Sequence, residues 1–188
     1  MIRTIIILLI SMLIIGCGTK RNLTVKEYKN IEVYKKNEKL IKSLVEKQLK
    51  KNLSEEEKVY MINQYFSVFP YVEDTKNYNK KDYWATEEEF YANYGGDCED
   101  IAFVKYKFLI KKGINPNNLD FIKGRVNGGL HIVLRYKSID KYLVLETNGV
   151  IGFENYIKSN YFEVIDIYDI SFFLFLQRVN RMYNYFVI

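Results

Sequence analysis

The chain has 188 residues, of which 48% are hydrophobic, which is enough for one domain with a packed core and not comfortably enough for two. The formal net charge is +5, and the basic residues are spread along the chain without a dense Lys/Arg block. With no aromatic-interleaved basic motif, this charge does not indicate a nucleic-acid partner and is compatible with an anionic membrane surface.

The beginning of the chain predicts a targeting signal over residues 1–16. Arg3 is followed by a run, Ile5 to Ile15, that is nearly all Ile, Leu and Met. The run is shorter than the roughly 18 residues of a membrane-spanning helix and fits the core of a signal peptide. It ends at Ile14-Ile15-Gly16-Cys17, which resembles the lipobox of bacterial lipoproteins, in which the cysteine is diacylated and becomes the mature N-terminus.

We therefore expect a lipid on Cys17 and a location in the cell envelope, anchored to a membrane and facing the periplasm. The alternative is an uncleaved N-terminal anchor, which also places the domain outside the cytoplasm. Residues 17–37 are polar without a clear period and predict a tether. Residues 38–188 would then form the folded domain.

The first half of the domain has helical periodicity. Ser54 with Glu57, and Thr86 with Glu89, have the spacing of a capping box at a helix start. Apolar residues recur every three or four positions between the turn signals. The predicted helices cover residues 38–51, 54–69, 83–94 and 98–112.

After Gly113, which is placed to end a helix, the apolar period changes to two. Asn127-Gly128-Gly129 predicts a turn between two strands. The predicted strands cover residues 121–126, 130–136, 142–145 and 162–167, and the apolar tail 172–188 is ambiguous between helix and strand. Helices followed by an antiparallel sheet predict an α+β fold, with the helix that begins at Cys98 packed centrally on the sheet.

Cys98 is the candidate nucleophile. It follows two glycines and Asp97, a residue type that favours the N-cap position, so the thiol would lie at a helix start. The free N–H groups and the positive dipole end there favour a thiolate. If Cys17 carries a lipid, Cys98 has no partner for a disulfide, and the bland alternative is an inert buried thiol.

His131 is the candidate general base, since it is the single histidine in the chain. It begins a predicted strand after a glycine turn. The non-catalytic alternative is a histidine that is structural or merely exposed. A third group should orient the imidazole. Glu146 and Asn148, at the end of the next strand, are the two candidates.

Several strings carry a resemblance to a known family. They are Asp82-Tyr-Trp-Ala-Thr-Glu-Glu-Glu-Phe90, Gly95-Gly-Asp-Cys-Glu-Asp100, Ala102, Lys105-Tyr106, His131 with Val133-Leu134, and Leu143-Val-Leu145. Over about residues 55–150 the chain resembles the bacterial transglutaminase-like cysteine proteinases. The resemblance implies a papain-like, transglutaminase-type α+β core and a Cys–His–Asp triad. The triad falls on Cys98, His131 and Glu146, so Glu stands where the family has Asp; Asn148 is the alternative, in the manner of papain-type Cys–His–Asn sites.

The resemblance also implies a calcium ion held by Asp97, Glu99 and Asp100. Three carboxylates beside Cys98 would oppose thiolate formation, and a hard cation would neutralise them. The bland alternative is that these acids only complement the helix dipole. Trp84 is predicted to line the substrate cleft.

The function that follows is hydrolysis of a peptide bond in a surface or periplasmic protein. By resemblance, the substrate would be a large surface adhesin, and an inner-membrane receptor that senses a cyclic dinucleotide would be the regulator. One alternative is transglutaminase-type acyl transfer to an amine. Another is a non-catalytic, calcium-stabilised binding lipoprotein.

Overall fold

A computed structural model describes residues 31–147, 149–159 and 162–186. The predicted signal peptide, Cys17 and Asn148 lie outside the described residues. The helices are α1 (Ile31–Leu49), α2 (Glu55–Phe66), α3 (Asp74–Asn77), α4 (Glu87–Asn93), α5 (Cys98–Lys111), α6 (Phe153–Ser159) and α7 (Ile170–Phe186). The strands are β1 (Leu119–Val126), β2 (Gly129–Lys137), β3 (Tyr142–Glu146), β4 (Gly149–Gly152) and β5 (Glu163–Tyr168). Within this described part, no helix combines the length and the apolar character that crossing a membrane requires.

The helix starts follow the local signals that were read from the sequence. Both capping boxes form, with Ser54 at the start of α2 and Thr86 at the start of α4. The start of α1 was predicted wrongly: the helix begins at Ile31, so residues 31–37 of the predicted tether are helical. This stretch contains no glycine or proline, and therefore nothing in it interrupts the helix. The ambiguous apolar tail is helical up to Phe186.

The five strands form one sheet in the order β4-β3-β2-β1-β5, with every neighbouring pair antiparallel. β1 and β2 are joined by Asn127 and Gly128, which both have positive φ, at 51° and 82°. Two successive residues of this kind give a tight turn whose twist matches the flanking strands. The predicted α+β fold, with helices preceding an antiparallel sheet, is confirmed.

Two apolar clusters cover the two faces of the sheet. α5 lies against the larger one, which includes Phe121, Ile132 and Leu134. The smaller cluster, on the opposite face, contains Ile122, Val133, Val144, Tyr156 and Phe162.

Side chains alternate between the faces along a strand. His131 therefore shares the face of Val133, and Glu146 shares the face of Val144. These two predicted site residues point to the same side of neighbouring strands, toward α6.

Candidate active site

The loop before Cys98 is built from two glycines that approach other backbone closely. Gly95 has a φ of +154°, and a Cβ on it would lie 2.5 Å from the carbonyl oxygen of Pro70. The carbonyl oxygen of Gly96 accepts a hydrogen bond of 2.9 Å from the N–H of Val72. These contacts require glycine at position 95 and fix where α5 begins.

Asp97 occupies the residue before α5, but its side chain makes no capping hydrogen bond. The predicted N-cap position of Asp97 is therefore confirmed, but the hydrogen bond by which its side chain would cap the helix is not formed. Its carboxylate lies instead among the neighbouring acidic side chains, and its Oδ1 atom is buried without a hydrogen-bond partner.

The Cys98 thiol is partly buried at the first residue of α5 and donates to Oε2 of Glu99 at 3.0 Å. Burial raises the pKa of this thiol well above its usual value, and the charges of Glu99 and Asp97 raise it further. The backbone N–H of Ile132 acts in the opposite direction. Burial and the acidic neighbours together therefore favour the protonated thiol. Ile132, whose N–H opposes this effect, is the residue that follows His131.

The His131 ring is held by a carboxylate from the neighbouring strand. Its Nε2 atom lies 2.8 Å from Oε1 of Glu146. The same oxygen accepts a hydrogen bond of 2.5 Å from the Tyr156 hydroxyl. The other oxygen, Oε2, accepts from the backbone N–H of Thr147 at 2.9 Å and from its hydroxyl at 3.2 Å.

These contacts set the charge of Glu146 and the proton position on the ring. Burial raises the pKa of Glu146, but the hydrogen bond and charge of His131 and the bonds from Tyr156 and Thr147 outweigh it, and the pKa falls well below its ordinary value. An ionised carboxylate only accepts hydrogen bonds, so Nε2 of His131 carries the proton and Nδ1 is left to accept one. This is the tautomer that a general base requires.

The Cys98 thiol makes no hydrogen bond to this group. Among the described residues, the side-chain bond of the thiol goes to Glu99, and that of the His131 ring goes to Glu146. Burial, the charge of Glu146 and, more weakly, the charge of Cys98 raise the pKa of Tyr156. Cys98 and the Glu146 group therefore share one local electrostatic environment.

An acidic cluster adjoins the thiol. The predicted metal ligands Asp97, Glu99 and Asp100 come together there, and Asp74 and Asp82 join them. Potential ligand atoms of Asp74, Asp97 and Asp100 lie within 4.8 Å of one another, as do those of Asp74, Asp82 and Glu99.

Three oxygens of this cluster lack the hydrogen-bond partners that buried oxygens normally have. Asp74 Oδ1, Asp97 Oδ1 and Asp100 Oδ2 are buried without a hydrogen-bond partner. The second oxygen of Asp74 accepts from the N–H of Tyr83 at 2.6 Å, and that of Asp100 accepts from the N–H of Ala85 at 2.7 Å. Two of the carboxylates are therefore anchored by backbone donors while an oxygen on each remains free.

Burial and mutual repulsion act strongly on these carboxylates. Burial, followed by the charge of Glu99, raises the pKa of Asp100 to about 8 and that of Asp97 to about 12. Burial also raises the pKa of Asp74 to about 7, again with a contribution from Glu99. Unpaired carboxylate oxygens converging on one point suit a hard divalent cation such as calcium, so these residues fit such an ion.

Trp84 lies in the core. Its side chain is 8% exposed and packs on Phe173 with the ring centroids 4.9 Å apart, while its indole N–H donates to Asp82 at 3.0 Å. These contacts give Trp84 a packing role, and the substrate-lining role predicted for it stays a prediction.

Among the residues of the site that were missed in the sequence are Asp74 and Tyr156. Asp74 lies in a stretch of sequence rich in Lys, Asn and Asp, where one acidic residue carries no distinguishing signal. Tyr156 is one of 17 tyrosines. Only long-range packing brings either residue to the site.

A thiol at the start of a central helix, with a histidine held by a carboxylate on the adjoining sheet, defines a papain-like or transglutaminase-like class of cysteine enzyme. Residues 26–161 match the bacterial transglutaminase-like cysteine proteinase family, BTLCP, and the chain belongs to that family. It is accordingly a transglutaminase-like cysteine peptidase, and its substrate is a protein.

Solved structures of LapG from Legionella pneumophila share the fold. The chain is 21% identical to LapG, with a TM-score of 0.56, and the match covers 73% of this chain and 84% of LapG. Calcium-bound and EGTA-treated LapG structures match with the same identity and TM-score. No curated protein sequence matches the chain.

Proposed function

We propose that the chain is an envelope-located cysteine endopeptidase that cuts a surface or periplasmic protein, with Cys98 as nucleophile, His131 as base and Glu146 as the residue that orients the base. The observation that carries this proposal is the 2.8 Å contact between His131 Nε2 and Glu146 Oε1, on the sheet that α5 packs against. The His131 side chain is 23% exposed, so a substrate can reach it.

In the proposed reaction the Cys98 thiolate attacks the scissile carbonyl, and the proton taken up by His131 passes to the leaving amine. A water molecule then gives a proton to His131 and attacks the thioester, which releases the new carboxyl end and restores the thiol. The backbone N–H of Cys98 has no partner within α5, because it belongs to the first residue of that helix. It is a donor for the oxyanion.

We propose further that a calcium ion is held by Asp74, Asp97, Glu99 and Asp100. The unpaired buried oxygens of this cluster support the proposal. When bound, calcium would supply positive charge that offsets the carboxylates and competes with the thiol for Glu99. This fits the need for a thiolate at Cys98. The existence of a calcium-bound structure of LapG, which is similar to this chain, is consistent with such a site.

The location and partners are proposed from the sequence. A lipid on Cys17 would hold the enzyme at a membrane facing the periplasm, near a substrate such as a surface adhesin. A membrane receptor that senses a cyclic dinucleotide would be the regulator. Replacing Cys17 with Ser should abolish incorporation of a clickable palmitate analogue, and unchanged incorporation would contradict the anchor.

The proposed chemistry is tested by co-expressing the chain with a surface adhesin and identifying the products by mass spectrometry. The wild-type protein should create a new N-terminus in the adhesin, and both Cys98→Ala and His131→Ala should abolish it. Glu154→Gln, an exposed change on α6, is the matched control. A crosslink or amide adduct in place of a new N-terminus would indicate acyl transfer. Full cleavage by folded Cys98→Ala would refute the proposal.

A further inference from the structure

A buried lysine connects the nucleophile helix to the strand that carries Glu146. Lys105 lies seven residues after Cys98 on α5, about two helical turns along, and is 1% exposed. Its Nζ atom donates to the carbonyl oxygens of Leu145 and Glu146, both at 2.9 Å. These are the last two residues of β3.

The strand needs such a contact at this point. The pairing of β2 with β3 ends at Leu134 and Leu145, so β3 has no further register with β2 where it approaches His131. The Lys105 ammonium adds a donor to both carbonyl oxygens there, beside the pairing of β3 with β4. It holds the end of β3 from the side of α5, the helix that also presents Cys98.

Burying a lysine costs free energy, which sets Lys105 apart from an ordinary core residue. Burial lowers the pKa of Lys105 to about 7, although the charge of Glu146 acts in the opposite direction. A Leu or Met at the same position would fill the space without this cost, but it would remove both hydrogen bonds from α5 to the end of β3.

We propose that Lys105 is a positioning residue: it fixes the end of β3 relative to α5, so that Glu146 holds the His131 ring next to the Cys98 thiol. The role rests on the proposed function, since it concerns how that nucleophile and that base are brought together. It acts through Glu146, and Lys105 touches neither substrate nor the reacting atoms.

The test compares Lys105→Met, which keeps the length of the side chain and removes its donors, with Lys107→Met. Lys107 lies on the same helix, its side chain is 44% exposed, and its ion-pair partner is Glu87, away from β3. The rate of Cys98 alkylation by iodoacetamide is followed across pH at the peptide level by mass spectrometry, in calcium-containing buffer. The His131 tautomer is read by ¹⁵N NMR, which is unambiguous because the chain has a single histidine.

We expect Lys105→Met to be alkylated about tenfold more slowly at neutral pH, with an altered pH profile and a mixed His131 tautomer. Lys107→Met should match the wild type in all three measurements. A loss of packing alone would lower thermal stability without changing the tautomer. If Lys105→Met fails to fold, Lys105→Gln, whose side chain keeps one donor group, is compared with Lys107→Met by the same measurements. Failure of both variants to fold would contradict a role confined to positioning.

His131→Ala separates failure of this inference from failure of the proposed function. If wild type and His131→Ala are alkylated at the same rate, the nucleophile–base pair is absent, and both the proposed function and the role of Lys105 fall. If His131→Ala is slower while Lys105→Met behaves as wild type, the proposed function stands and the positioning role is refuted.

Discussion

Replacing Glu146 with glutamine tests how the imidazole is held. Each oxygen of Glu146 accepts two hydrogen bonds: Oε1 from His131 and Tyr156, and Oε2 from the N–H and hydroxyl of Thr147. Glutamine has one accepting oxygen and one donating NH₂ group. In either orientation, the NH₂ group faces two donors.

The expected loss follows from these contacts. If the NH₂ group faces Thr147, it meets a backbone N–H that cannot be turned away. If it faces His131, the ring must give up its Nε2 proton and adopt the opposite tautomer. Each hydrogen bond to a charged acceptor contributes about 1.5 to 3 kcal/mol, so losing two weakens the arrangement by about 3 to 6 kcal/mol. This corresponds to about 10²- to 10⁴-fold in rate.

The assay is alkylation of Cys98 by iodoacetamide at neutral pH, together with ¹⁵N NMR of the one histidine. Glu146→Gln should be alkylated at least about 10²-fold more slowly than the wild type, and it should show the Nδ1-protonated tautomer where the new NH₂ group faces the ring. Glu154→Gln makes the same chemical change at an exposed position of α6 and should alter neither result. A folded Glu146→Gln protein with wild-type alkylation and the wild-type tautomer would refute the reasoning.

Three further outcomes concern the acidic cluster and the core. Because the folded pKa values of Asp74 and Asp100 are raised to about 7 and 8, the unfolded chain loses these protons at lower pH than the folded chain. The stabilisation that these two carboxyl groups give in EGTA should therefore be fully present below about pH 4 and be lost as pH rises to 8. Thermal unfolding followed by circular dichroism from pH 4 to 8 measures it, and a rise in Tm across that window would contradict the assignment. Calcium at a hundredfold excess over its Kd should raise the free energy of unfolding by about 2.7 kcal/mol, or Tm by about 5 to 10 °C, and Asp74→Asn should reduce that gain; equal gains would remove Asp74 from the site. Phe121→Ala should cost about 3 to 5 kcal/mol in urea unfolding, since Phe121 is fully buried and stacks on Phe173 at 4.1 Å, and a cost below about 1 kcal/mol would contradict that packing.

The parts of the fold that could be predicted are those with a local cause. The starts of α2 and α4 are specified by Ser54 and Thr86, whose side chains bond within three residues. The turn between β1 and β2 is specified by an Asn-Gly pair. Four of the strands were predicted from the change of the apolar period to two after Gly113, which is also a local pattern.

The parts that could not be predicted depend on distant residues. Asp97 has the residue type of an N-cap and takes that position, yet its side chain lies beside Asp74, a carboxylate from elsewhere in the chain, and makes no capping bond. Asp74 reaches that cluster because α3 packs near the start of α5. Tyr156 reaches Glu146 because α6 covers the second face of the sheet. No spacing of residues in the sequence predicts these contacts.

The sequence by itself determined the residue types of the chemistry: one thiol at a glycine-preceded helix start, one imidazole at a strand start, and a carboxylate at the end of the next strand. The helix start, the strand start and the strand end that carry these groups could be predicted because each depends on the backbone preferences of residues next to it in sequence. The sequence and the family resemblance offered Glu146 or Asn148 as the partner of His131, and the structure has the contact with Glu146. Tertiary structure alone decided that Tyr156 and Asp74 join the site and that Lys105 reaches the end of β3. These contacts join separate helices and strands, and they arise only when burial of the two apolar clusters brings the helices onto the sheet.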